Sequence, residues 1–155
     1  MSKFTTYMDL ALTEARAAAA RGETPVGAVL VDPANGKVLA KNGNRTRELS
    51  DPTAHAEMIA ITQAASAIGD WRLTDTVLYV TKEPCPMCAG AIALARIPKV
   101  VFGARDPQSA GTLNAGEIVR GVLEKECRFM LQDFFQTARR QVEQRTDDGH
   151  RTTAR

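Results

Sequence analysis

The stretches His55-Ala56-Glu57 and Pro84-Cys85-Pro86-Met87-Cys88 decide how this chain is interpreted. Histidine and cysteine are common zinc ligands, and a zinc ion that takes part in chemistry usually keeps three protein ligands and an open position for water. The two stretches supply three such ligands, namely His55, Cys85 and Cys88. The other candidates are Cys127, on the apolar face of a predicted helix, and His150, in a polar tail. The sequence therefore predicts an open site that binds one Zn²⁺ per chain.

Glu57 lies two residues after His55, close to the predicted metal but in a poor position to be a further ligand on the same helical turn. Bound zinc lowers the pKa of its water towards neutrality, and a nearby carboxylate can then move protons between that water and a substrate. We therefore predict Glu57 to be the catalytic residue. The main alternative for the CxxC pair is a thioredoxin-like redox site, which leaves both His55 and Glu57 without a role.

The composition is that of an ordinary soluble domain, with 155 residues, 44% hydrophobic residues, 25% charged residues and a net charge of +2. No apolar run is long enough to span a bilayer, and the first ten residues lack the pattern of a secretory signal. Three cysteines are too few for a secreted disulfide framework. We expect a cytoplasmic protein without a membrane association. The small net charge neither requires nor excludes an RNA substrate.

Hydrophobic periodicity predicts one α/β domain over residues 1–142, followed by a polar tail, residues 143–155, which we expect to be disordered. A Val-rich run and its return across an Asp-Pro-Ala-Asn-Gly turn predict a hairpin at the start of the sheet. The predicted strands cover residues 26–31, 37–41, 77–80 and 100–103, with a short edge strand over 117–119. The predicted helices cover about residues 4–21, 53–68, 86–95 and 122–141.

The HAE and PCxxC motifs resemble the cytidine/deoxycytidylate deaminase superfamily, whose zinc members carry this signature. The resemblance to the bacterial tRNA-specific adenosine deaminases is closer and covers roughly residues 4–140. It rests on the segments PVGAVLV (25–31), DPTAHAE (51–57), LYVT-EPC-MCAGAI (78–92), ARIPKVVFGARDP (95–107) and LQDFF (131–135). This resemblance implies a three-layer α/β/α cytidine-deaminase-like fold with a mixed sheet of about five strands.

The same resemblance implies hydrolytic deamination of adenosine to inosine at the wobble position of a tRNA anticodon loop, by a homodimer. It places zinc on His55, Cys85 and Cys88, and makes Glu57 the proton shuttle. Asn44 and the backbone of Ala56 would bind the target base, Val26 would line its face, and the Ala-rich helix 89–95 would pack in the dimer. The residues implied to contact the rest of the substrate are Arg105, Asp106, Phe134 and Phe135.

The chain differs from the tRNA-specific branch between Gly111 and Val122, where residues 111–121 form a shorter segment. One alternative is therefore a deaminase of a free base or nucleoside (guanine, cytosine or adenine), or of adenine in single-stranded DNA. A zinc-stabilised RNA-binding module without turnover is a second alternative, which Glu57 opposes. The residues alone distinguish neither adenine from cytosine or guanine, nor RNA from DNA or a free nucleoside, nor a natural short segment from an engineered one.

Overall fold

A computed structural model describes residues 2–152 of the protein, with side chains to residue 148. Its helices are α1 (Lys3–Ala20), α2 (Ala56–Ile68), α3 (Pro86–Leu94) and α4 (Glu124–Thr152), and a short 3₁₀ turn covers Pro107–Ser109. Its strands are β1 (Gly27–Asp32), β2 (Lys37–Gly43), β3 (Val77–Lys82), β4 (Lys99–Ala104) and β5 (Glu117–Val119). No helix within the described part of the chain has the length and apolar character needed to cross a membrane.

The five strands form one mixed sheet in the order β2-β1-β3-β4-β5. β1 pairs antiparallel with both β2 and β3, whereas β3, β4 and β5 run parallel to one another. The predicted hairpin and the predicted edge strand over residues 117–119 are both confirmed. Since β3 and β4 are parallel, their carboxyl ends lie at the same edge of the sheet, which brings Lys82 beside Ala104.

Helices cover both faces of the sheet, so the chain has the predicted three-layer α/β/α architecture. Alternate residues of β1 separate the two layers, because successive strand side chains point to opposite faces. Ala28 and Leu30 pack with α2 and α3, whereas Val29 and Val31 pack with α1 and α4. The central strands β1 and β3 are almost wholly buried, as the Val-rich runs in the sequence predict.

α1 crosses the start of β1 at very close range. A Cβ atom built on Gly27 would collide with the carbonyl oxygen of Ala11 in α1. Only glycine therefore allows this approach. The contact fixes the start of β1, and with it the position of the preceding residue Val26, against the helix layer.

Two helix boundaries differ from the sequence prediction. α2 begins at Ala56 rather than near Thr53, because the Asp51 carboxylate accepts hydrogen bonds from the backbone and hydroxyl of Thr53 and holds this segment in a turn. α4 continues through residues 143–152, where the sequence predicts a disordered tail, while 153–155 lie outside the described part. A helix rich in Gln, Glu and Arg can extend without apolar contacts, since each added residue gains a backbone hydrogen bond.

Candidate active site

Three predicted ligands meet where α2 and α3 begin. His55 is the N-cap residue of α2 and Cys85 is the N-cap residue of α3, so Cys88 lies in the first turn of α3. The Nδ1 atom of His55 is 3.5 Å from the Sγ atom of Cys85 and 3.5 Å from the Sγ atom of Cys88. All three ligand atoms lie within 4.8 Å of one another. The structure thus brings together residues that are far apart in the sequence.

This donor set fits a zinc ion. Zinc bonds of about 2.3 Å to sulfur and about 2.0–2.1 Å to nitrogen, at tetrahedral angles, place such ligand atoms roughly 3.5 Å apart. Burial raises the pKa of the Cys88 thiol, and the nearby Glu57 carboxylate raises it further. A cation between the sulfurs would counter both effects, because a metal ion favours the thiolate form of its ligand. The three groups can therefore hold a metal ion with one coordination position left open.

Glu57 lies in the first turn of α2, and its side chain is 4% exposed. Burial raises the pKa of Glu57, although a hydrogen bond with Cys88 and the positive charge of Lys82 act in the opposite direction. A carboxyl group with a raised pKa can both accept and return a proton near neutral pH. Its place beside the His-Cys-Cys group suits the proton-transfer role predicted from the sequence.

A cavity of about 170 Å³ opens onto this group. Its lining includes Val26 and Asn44, both predicted to contact the base, together with His55, Glu57 and Cys85. The side-chain Oδ1 of Asn44 accepts a hydrogen bond from the backbone N–H of Ala56 at 2.8 Å. This bond satisfies an amide at the N-terminus of α2 and leaves the NH₂ group of Asn44 as a donor for a bound molecule.

A buried carboxylate, Glu23, holds the loop that separates Asn44 from His55. Glu23 is 1% exposed and accepts hydrogen bonds from the backbone amides of Arg47 and Glu48, both at 2.9 Å, and from the Thr46 hydroxyl at 3.2 Å. Burial alone would raise the pKa of Glu23, but these bonds lower it below its ordinary value. Glu23 therefore anchors the loop as an anion.

Five residues predicted to contact the substrate lie outside the cavity lining. Ala56 is fully buried, and its backbone N–H already donates to Asn44. The other four are Arg105, Asp106, Phe134 and Phe135. Arg105 is 63% exposed and faces Glu124, whereas Asp106 is linked to the cavity through an ion pair with Lys82 at 3.3 Å. Phe134 is half-buried and Phe135 is 48% exposed. Both phenylalanines line a neighbouring groove of about 540 Å³, which shares Thr24 with the cavity. Asp106, Phe134 and Phe135 therefore adjoin the cavity through two residues of its lining, Lys82 and Thr24.

Three residues that line the cavity were not predicted from the sequence, namely Thr24, Lys82 and Glu83. Thr24 precedes the PVGAVLV segment, and the other two precede Pro84. Their adjacency to recognised motifs could have identified them. A larger cavity, of about 770 Å³, lies at the other end of the sheet beside Phe4 and Tyr79.

The chain matches the MafB19-like deaminase family over residues 1–152. The chain belongs to this family. The deaminase is 47% identical over 146 residues to the tRNA-specific adenosine deaminase of Bacillus subtilis (strain 168), with 86% of this chain and 89% of the relative aligned. This identity confirms the resemblance to tRNA-specific adenosine deaminases that the motifs predicted.

Solved structures agree with the fold of the deaminase. A structure from work on A-to-I editing by tRNA:A34 deaminases at the wobble position has a TM-score of 0.76 and 45% identity, covering 82% of this chain and 99% of that one. A guanine deaminase from Bacillus subtilis has a TM-score of 0.64 and 38% identity, covering 73% and 72%. The predicted cytidine-deaminase-like fold is therefore confirmed.

The alignment with the Bacillus subtilis relative also bears on chain length. The alignment spans 146 positions, but only 86% of this 155-residue chain takes part in it. Some aligned positions are therefore occupied by residues of the relative that this chain lacks. That difference agrees with a shortened segment. The placement of the shortening within residues 111–121 remains a prediction.

Proposed function

We propose that this deaminase converts adenosine to inosine at the wobble position of a tRNA anticodon loop, using one Zn²⁺ held by His55, Cys85 and Cys88. The observation that carries the proposal is the placement of Glu57 in the same small cavity as His55 and Cys85, two members of the His-Cys-Cys group. Identity of 47% to a tRNA-specific adenosine deaminase supports the choice of substrate. A binding module without turnover would not need a buried carboxylate at this point.

The reaction replaces the exocyclic amine of adenosine with oxygen from water and releases ammonia. When bound, zinc would lower the pKa of a water molecule and so supply a nucleophile near neutral pH. Glu57 accepts a proton from the attacking water and delivers protons to the ring nitrogen and the departing amine. The Asn44 NH₂ group donates a hydrogen bond to the base, and Val26 packs against the face of the ring.

The size of the cavity suits one base rather than a whole nucleotide. Its volume of about 170 Å³ is smaller than the usual range for sites that hold drug-sized ligands. The target base must therefore leave its stack and enter alone, with its sugar and phosphates outside. An anticodon loop reduces the energetic cost of this step because its bases are already accessible in a single-stranded loop.

The second candidate function is deamination of a free purine such as guanine. The small cavity would admit a free base as readily as a base that has left the stack of an RNA strand. A guanine deaminase from Bacillus subtilis is also 38% identical to this chain. The groove that carries Phe134 and Phe135 beside the cavity favours the longer substrate, because a free base would leave it empty. Deamination of adenine in single-stranded DNA would use the same cavity and groove.

We propose further that the deaminase is a cytoplasmic homodimer that associates through α3. On the outer face of this helix Gly90 and Ala93 are exposed, and Leu94 is 71% exposed. Small residues allow another helix to approach closely, and an exposed leucine supplies apolar area to bury. Light scattering should give twice the mass of the chain, and Leu94→Glu should reduce it to that of a monomer.

The proposed function can be tested with a panel of substrates. Purified zinc-loaded protein is incubated with an anticodon stem-loop that carries adenine at the wobble position, the same loop in DNA, adenosine, cytidine and guanine, and the products are analysed by mass spectrometry. We expect a mass gain of 1 Da at the wobble base of the RNA. Turnover of guanine alone would identify the second candidate, and no turnover of any substrate would contradict both.

A further inference from the structure

Lys82 lines the cavity although no motif assigns it a role. It is the last residue of β3, and its side chain is 36% exposed, so it reaches from the wall of the cavity to its entrance. Among the described residues that line this cavity, Lys82 is the one lysine or arginine. The acidic residues of the same lining are Glu57 and Glu83. Lys82 therefore supplies the permanent positive side-chain charge at the entrance.

The ammonium group of Lys82 is held in place by Asp106, whose Oδ2 is 3.3 Å from its Nζ. Asp106 is itself fixed: its backbone N–H donates to Glu83, and its carboxylate accepts from the Gln108 amide and the Ser109 hydroxyl. Two of these three bonds reach the Asp106 carboxylate and hold it in place as a partner for Lys82. An ammonium group has three donors, so Lys82 retains donors for a second partner.

The partner that this geometry favours is a phosphodiester. Because the cavity holds only the base, the groups at its entrance face the sugar and the phosphates of the strand. A partly exposed lysine with free donors is a common phosphate contact in protein complexes with nucleic acids. A free base or nucleoside would leave this ammonium without such a partner.

We propose that Lys82 is a specificity-determining residue that binds a phosphate of the RNA strand next to the target nucleotide. The inference rests on the proposed function, because it presumes that the flipped base belongs to a strand. It goes beyond that function by assigning the strand contact to a residue outside the predicted substrate-binding set. It also gives the Lys82–Asp106 pair a purpose, since Asp106 keeps the ammonium at the entrance.

The first test measures binding of the zinc-loaded protein to an anticodon stem-loop that carries inosine at the wobble position, which cannot react further. The dissociation constant, Kd, is measured between low and moderate salt for the wild type, Lys82→Met, Lys82→Arg and the matched control Lys41→Met, an exposed lysine on β2. The salt slope is the slope of the logarithm of the binding constant against the logarithm of the salt concentration. Loss of one phosphate contact should weaken binding by about tenfold and reduce the magnitude of this slope by about one. Lys82→Arg should retain the wild-type slope, and Lys41→Met should not change it.

The second test alters the RNA and compares the wild type with Lys82→Met. Single phosphates beside the wobble nucleotide are replaced, one at a time, by neutral methylphosphonates. One replacement should weaken binding to the wild type by about tenfold and should weaken binding to Lys82→Met no further. Such non-additivity would assign that phosphate to Lys82.

Two results would overturn the inference. One is a salt slope for Lys82→Met equal to that of the wild type. The other is a fall in kcat without any change in Kd, which would make Lys82 a positioning residue for Asp106. The substrate panel separates this inference from the proposed function. If the wild type deaminates the stem-loop and Lys82→Met has the wild-type salt slope, only the role of Lys82 fails. If Lys82→Met has a smaller salt slope but the wild type does not deaminate the stem-loop, only the proposed function fails.

Discussion

The side-chain Oδ1 of Asn44 and the backbone N–H of Ala56 form a hydrogen bond of 2.8 Å, which joins the end of β2 to the first residue of α2. Asn44 is 7% exposed and Ala56 is fully buried, so this bond is shielded from water. His55 and Glu57 flank Ala56 in the chain. The bond therefore fixes the position of a proposed zinc ligand and of the proposed proton shuttle at the same time.

Substitution of Asn44 should separate its structural role from its contact with the base. Asn44→Ala leaves a buried amide of α2 without a partner, and we expect it to lower the free energy of unfolding by about 1–3 kcal/mol. Asn44→Asp keeps the acceptor and places a negative charge at a helix N-terminus, so it should recover much of that stability. Both variants should lose at least about tenfold in activity, because neither donates to the base. Urea denaturation and single-turnover assays would measure the two effects, and full activity in Asn44→Asp would exclude the donor role.

Replacement of Glu57 by Gln should remove proton transfer without removing the metal. The amide keeps the size of the side chain but cannot accept a proton from water. We expect kcat to fall by about a hundredfold to ten-thousandfold. Zinc content, measured by atomic emission, should stay near one per chain, because Glu57 is not a proposed ligand. Ammonia release at the wild-type rate would contradict the mechanism.

The cysteines provide a matched pair for testing the metal site. Cys88→Ala removes one of three proposed ligands and should reduce zinc content well below one per chain, with loss of activity. Cys127→Ala is the control, because Cys127 is equally buried but packs with α1 and the opposite face of the sheet. It should keep its zinc. A chelator should lower the Tm of the wild type and of Cys127→Ala more than it lowers the Tm of Cys88→Ala. Equal zinc content in the two variants would refute the assignment of Cys88 as a ligand.

Glu23 should make stability depend on pH. Since its pKa in the folded protein lies below its ordinary value, its contribution is present at neutral pH and is lost as the pH falls through the folded value. Glu23→Gln should therefore cost about 1–3 kcal/mol at pH 7, and the difference from the wild type should shrink as the pH falls below the ordinary pKa of a glutamate and through the lower pKa of Glu23 in the folded protein. Glu48→Gln, in the same loop but with an exposed carboxylate, should change stability by less than about 0.5 kcal/mol. A difference that stays constant with pH would show that Glu23 does not act as an anion.

Local sequence patterns predicted most of the secondary structure. The Val-rich runs of β1 and β3 are apolar throughout because both faces of these strands are covered. The boundaries were less predictable where side chains compete with the backbone for hydrogen bonds, as Asp51 does before α2. The end of α4 was missed because the prediction relied on apolar contacts, which helix extension does not require.

For the site, the sequence by itself determined which residues are the candidates for chemistry. His55, Glu57, Cys85 and Cys88 could be selected because each residue type has a restricted set of chemical roles and their spacing matches a known signature. Tertiary structure alone decided which further groups share the cavity. Lys82 enters it because β3 and β4 run parallel and end at one edge, beside Asp106. Glu23 accepts a hydrogen bond in the loop before His55 from Arg47, which is 24 residues further along the chain. These contacts join residues distant in sequence, and their distances follow from the packing of layers rather than from any local pattern.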